Sequence, residues 1–290
     1  MAEGSCPVCS LTFGRGRRVR VGNESLHPEC ARSRSASHCT FCGRALEGTY
    51  LVDDLGGAYC PRHATEYPKC RYCHKLFRSG DPPLHRPPDM IGTCPTCARS
   101  AVTDAQTALA LGREPFEWIT SSGLSLRAEA GRIRLTAHPT AAPTVQWTAA
   151  DRCLGATRVS IQDSGPAEKK ATVDVNELEY GLPATLFRGV LTHEWGHVWL
   201  YENGVFGLPP PEDEGFCQLL EWGYLSFEDS VLARHALRTM RDSDDPVYGA
   251  GFRTAKAVAD ALGFPALAQS LRQAKRYPVP RSLTGWDERT

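Results

Sequence analysis

The sequence contains no stretch approaching the ~20 consecutive apolar residues that a membrane-spanning helix needs. Its opening, MAEGSCPVCSLTFGRGRRVR, lacks the apolar core of a signal peptide. Membrane and secretory classes are set aside, and a cytoplasmic protein is expected. Net charge is also missing, since 33 Lys and Arg face 33 Asp and Glu. Residues 1–100 hold 14 basic and 9 acidic side chains against 19 and 24 in the remainder, leaving halves of +5 and −5. A modest positive balance of this kind reads as a solvated surface. The basic run from Arg15 to Arg20 has no aromatic stacking pattern beside it, so nucleic acid is not expected as a partner. Cysteine is nearly absent after residue 97: only Cys153 and Cys217 lie beyond it, and each reads as a small buried hydrophobe.

What is present is ordinary globular material, 41% hydrophobic and 23% charged over 290 residues, a length that suits two domains better than one. The other ten cysteines are paired at metal-ligand spacing. Cys6 and Cys9 are followed after 17 residues by His27 and Cys30; Cys39 and Cys42, again after 17, by Cys60 and His63; Cys70 and Cys73, after 20, by Cys94 and Cys97. A tight turn lets donors at i and i+3 grip one ion, and the longer interval allows a β-hairpin to return the second pair. Three structural zinc modules within residues 1–100 are therefore expected, with zinc as the agent that folds a segment poor in large apolar residues. His38, His74 and His85 fit no pair. The stretch Gly80–Pro88 reads as a stiff loop.

The array resembles LIM zinc fingers, though LIM modules join their two sites by about two residues, whereas eight separate Cys30 from Cys39 and six separate His63 from Cys70. It is LIM-like, and the resemblance implies a platform for protein contacts, because four protein ligands leave zinc no open position.

From Ala101 the texture changes, and residues 101–290 are expected to form a second domain. Residues 101–112 read as a connecting helix ending at Gly112. Residues 123–137 alternate around Gly131 like a β-hairpin, and 156–162 and 171–176 look like further strands. Then GLPATLFRGVLTHEWGHVWLYENG predicts one long buried helix, with Pro183 in its first turn and Gly204 at its exit. His193 and His197, four apart, share a face and can ligate one metal. Glu194 beside them can take a proton from metal-bound water and later give one to a leaving amine. A third ligand is expected from PPEDEGFCQLLEW, where spacing leaves Glu212, Asp213 and Glu214 open; Gln218 is one turn further on. Acids at a helix start also have a plain explanation in the helix dipole. A glutamate just before glycine resembles the position that glutamate-ligated zincins use, which favours Glu214.

The motifs together resemble the LIM-domain zinc metallopeptidases known from plants as ubiquitin-activated regulators of organ size. The likeness runs through HCTFCGRAL, YCPRHATEYPKCRYC and TCPTCARSAVTDA to YGLPATLFRGVLTHEWGHVWL, EDEGFCQLLEW and DPVYGAGFRTA. It implies an α+β architecture, LIM-like tandem zinc ribbons followed by a zincin-type domain with a small sheet and several helices. It further implies a catalytic zinc on His193, His197 and Glu214, Glu194 as general base, four zinc ions in all, and a protein substrate related to the ubiquitin pathway. Plant members carry ubiquitin-interacting helices ahead of the LIM region. This chain starts almost at its first cysteine pair, like a minimal, bacterial-type relative, so ubiquitin dependence is not carried over. Tyr248 is the candidate oxyanion donor, with Arg253 and His235 behind it; the plain alternative is a tyrosine packed on the helices. The competing functional class is a catalytically inactive LIM-type adaptor that recruits protein partners.

Overall fold

The computed structural model describes residues 4–13, 18–21, 24–35, 38–53, 55–78, 92–126, 132–139, 153–163 and 169–278. The expected loop over 80–88, with His85, lies outside them. In chain order the elements are β1 (Val19–Val21), β2 (Glu24–Leu26), α1 (Pro28–Arg34), β3 (Leu51–Val52), β4 (Ala58–Tyr59), α2 (Pro61–Glu66), α3 (Pro95–Arg99), α4 (Ala105–Ser121), β5 (Ile133–Thr136), β6 (Gly155–Asp163), β7 (Lys169–Glu179), α5 (Ala184–Glu202), α6 (Pro210–Leu225), α7 (Val231–Asp242), α8 (Tyr248–Leu262) and α9 (Phe264–Ala274). The architecture is mixed α+β with small sheets. Two compact units divide the chain: Met1–Thr103 with Tyr180–Phe187 and Leu225–Arg238, and Asp104–Glu179 with Arg188–Tyr224 and Thr239–Thr290.

In the first unit one local design occurs three times. The amides of Cys6, Cys39 and Cys70 bond the carbonyls of Leu11, Arg44 and Lys75 at 2.8, 2.7 and 2.8 Å. Four residues after each of those cysteines, Ser10, Gly43 and His74 take φ of 59°, 67° and 54°, which turns the chain back on itself. The second pair of donors lies on a helix start. His27, Cys60 and Cys94 cap α1, α2 and α3, a proline follows each, and Cys30, His63 and Cys97 come three residues in. Proline suits that first position because its missing N–H would have no helical partner there. The returning hairpins are β1 with β2 and β3 with β4, both antiparallel. Most residues between the donor pairs of the third module fall outside the described set. The same unit includes α7 residues: the Arg234 guanidinium forks onto the buried Glu29 carboxylate at 2.5 and 3.1 Å.

The second unit is built on a three-stranded sheet of order β5-β7-β6. The pairing of β6 with β7 is antiparallel, with a register shift between Arg158 and Val159. The hairpin expected over 123–137 lies partly outside the described residues, and its later arm, β5, pairs in parallel with β7. The helix expected to stop at Gly112 instead runs as α4 from its Asp104 cap to Ser121. Gly112 is there for packing: a Cβ would lie 3.2 Å from Leu191 Cδ2 and 3.4 Å from Ile133 Cδ1, so its absence lets α4 lie close. Below it, Trp195, Val198, Trp199 and Leu200 of α5 are buried with Phe216 and Leu220 of α6, each worth about 1.5–3 kcal/mol when a side chain of this type is fully buried. As expected, α5 begins just after Pro183, and Gly204 closes its exit with φ 67°. No helix of the described residues is long and apolar enough to cross a membrane.

Candidate metal centres

Three donor groups form in the first unit, Cys6/Cys9/His27/Cys30, Cys39/Cys42/Cys60/His63 and Cys70/Cys73/Cys94/Cys97, each with its donor atoms within 4.8 Å of one another. In the two histidine-containing groups Nδ1 faces the sulfurs, 3.4 Å from Cys9 Sγ and 3.2 Å from Cys39 Sγ. Protons are shared tightly here: contact with Cys30 is the main influence lowering the Cys9 thiol to about 3, and the same contact pushes Cys30 up. Burial opposes ionisation of Cys39, yet the Cys60 amide and His63 hold it down at about 5. Four N/S donors in each group suit tetrahedral zinc.

In the second unit, the one-turn spacing of His193 and His197 brings their rings to 5.1 Å between centroids. The Oε2 atom of Glu214 lies 3.1 Å from Nε2 of His193 and 3.6 Å from Nε2 of His197. The other ring nitrogens have their own carboxylates: Nδ1 of His193 faces Glu221 at 3.5 Å and Nδ1 of His197 faces Asp213 at 3.1 Å. The three neighbouring acids left open by spacing are thus separated. Glu212 is engaged by Tyr277, whose hydroxyl donates to the Glu212 carbonyl at 2.7 Å and whose amide meets its carboxylate at 3.4 Å. Asp213 orients a ring, and Glu214 meets both inward nitrogens.

Glu194, 4% exposed, points to strand β6, where the Thr157 hydroxyl lies 2.8 Å from Oε2. Burial raises the Glu194 carboxyl, against the two imidazoles and Thr157. Burial also opposes charge on the histidines, but Glu214 and Glu221 hold His193, and Cys217, Glu214 and Asp213 hold His197, well above the usual range. Glu214 in turn is held below the ordinary carboxylate range despite its burial, chiefly by His197 and His193. Acids therefore outnumber compensating cations in a buried pocket whose two inward nitrogens converge on one carboxylate oxygen. A divalent cation on His193, His197 and Glu214 would stand in for the two imidazole protons at the same net charge, with Asp213 and Glu221 orienting the rings from behind.

Cys217 was read from the sequence as a buried hydrophobe. It is fully buried, and its sulfur also lies within 4.8 Å of a nitrogen of each histidine. Glu214 also offers a donor, its Oε2 reaching Nε2 of both rings at 3.1 and 3.6 Å. Cys153, half-buried, donates its thiol to the Gly155 carbonyl at 2.7 Å. Gln218 is half-buried on α6. Tyr248 begins α8, which meets α6 closely: a Cβ on Gly215 would sit 2.4 Å from the Gly251 carbonyl oxygen. Burial, then the charges of Glu214 and Glu194, push the Tyr248 hydroxyl up, keeping it a neutral donor. Arg253 is engaged with the Ser243 carbonyl at 2.6 Å, and His235, in the first unit, packs its ring 4.8 Å from that of His74. Sequence reading missed Thr157, Asn176 and Glu221. Glu221 had a signal, since 213, 214, 217 and 221 share one face of a helix.

The site and the cysteine groups define a chain with several centres suited to zinc. The sequence model of the DA1-like family, described as Protein DA1, matches residues 149–240, which include His193, Glu194, His197 and Glu214. Protein DA1-related 2 of Arabidopsis thaliana is 24% identical, covering 94% of this chain and 64% of the relative. Protein DA1-related 7 of the same plant is 22% identical over 96% of this chain and 64% of its own length. The LIM domain-containing protein HDR3 of Oryza sativa subsp. japonica is 20% identical over 94% and 68%. The resemblance to the plant DA1 and LIM-domain family is thereby shown, while the chain spans 64% of the length of the first two relatives. No solved structure matches.

Proposed function

We propose that the chain is a zinc-dependent endopeptidase acting on protein substrates, with residues 1–100 as a LIM-like region of three structural zinc modules and 101–290 as a zincin-type peptidase domain. The observation that carries the reading is the convergence of both Nε2 atoms on Glu214 Oε2, with Glu194 held aside on Thr157. Zinc bound there would supply Lewis-acid polarisation of a peptide carbonyl and acidify water. Glu194 accepts a proton from the attacking water and returns it to the leaving amine. The Tyr248 hydroxyl, neutral at working pH, donates to the developing oxyanion. The modules recruit the protein substrate or partners, in keeping with the LIM domain named in one relative.

The test is cleavage of unfolded casein by the purified chain beside Glu194→Gln, with metal content measured in both. Turnover by the parent alone, at equal zinc, supports the reading. Equal turnover removes the proposed base, and no turnover with three zincs per chain favours an adaptor.

A further inference from the structure

Thr157 presents a donor-counting problem. Its Oγ1 lies 2.8 Å from Glu194 Oε2, 3.0 Å from the Glu194 carbonyl oxygen and 3.0 Å from Asn176 Oδ1. Three acceptors surround a hydroxyl that has one proton to give. The Glu194 carboxylate oxygen makes the shortest of the three contacts, 2.8 Å, and takes it.

We propose that Thr157 is a positioning residue for Glu194, its one proton going to Glu194 Oε2, with Asn176 beside it on the neighbouring strand. The arrangement is built into the sheet: Thr157 and Asn176 are direct partners in the β6–β7 register. A slip of one residue would send Thr157 to the other face. Asn176 is fully buried.

Gly155, two residues before Thr157 and on the same face, completes the clamp. A Cβ there would lie 2.5 Å from Glu194 Oε1 and 2.6 Å from Val190 Cγ1. Strand β6 thus holds one carboxylate oxygen by a hydrogen bond and gives the other room by having no side chain. Oε2 is anchored, and Oε1 is the oxygen left to exchange a proton.

The inference rests on the peptidase reading, and Glu194→Gln in the same casein assay separates the two. Thr157→Val keeps the shape and removes the hydroxyl. Its kcat is expected to fall about 10- to 100-fold, as for loss of a hydrogen bond to a charged group, with KM and zinc content unchanged. Thr157→Ser should recover most of that loss. Full kcat in Thr157→Val, with Glu194→Gln inactive, overturns this inference alone. Activity surviving in Glu194→Gln overturns both.

Discussion

Each cysteine group takes its four candidate donors from two local pieces of chain, a tight turn and a helix start, separated by 17 to 20 residues. The centre at His193 takes its groups from β6, α5 and α6. In each of the cysteine groups the four donor atoms lie within 4.8 Å of one another. In the second centre Glu194 stands out of the converging set, 2.8 Å from Thr157. The difference is the one the proposed function needs: a structural site consumes all its donors, and a hydrolytic one keeps a base beside an incomplete set.

Breaking the modules should have the largest effect. Structural zinc contributes about 10–16 kcal/mol to folding in small domains of this kind. Cys94→Ser is expected to abolish amide protection in α3 while α5 keeps its own, read by hydrogen exchange. Equal loss in both would show that the two regions do not fold separately. Next, Glu194→Gln should lower casein cleavage by about 10²–10⁴-fold, with zinc unchanged by metal analysis; a lost zinc would make Glu194 a ligand. Tyr248→Phe should lower kcat by up to about 10²–10³-fold with KM little changed, and unchanged kcat would leave Tyr248 a packing residue. The smallest effect falls on the scaffold. Gly112→Leu forces a side chain against Leu191 and Ile133 and should cost about 1–3 kcal/mol in urea denaturation, without altering zinc content.

Much of this was legible because it is local. Donor pairs at x2 spacing and two histidines one helical turn apart bring their groups together through backbone geometry alone, and Pro183 and Gly204 mark the ends of α5. What was not legible depends on distant partners. Gly112 looked like a helix terminator, since nothing nearby reveals that Leu191 occupies the space its side chain would fill. The parallel pairing of β5 joins Ile133 to Asn176, and no turn signal encodes it. Thr157 meets Glu194 only through strand register, so its role has no signature in the chain. Cys217 looked apolar because the imidazoles beside it belong to another helix.

The most direct test of the central claim is zinc stoichiometry in Glu214→Ala and Cys217→Ala beside the parent chain. Four ions in the parent, three in Glu214→Ala and four in Cys217→Ala are expected. Three ions in the parent, or four retained by Glu214→Ala, would contradict it.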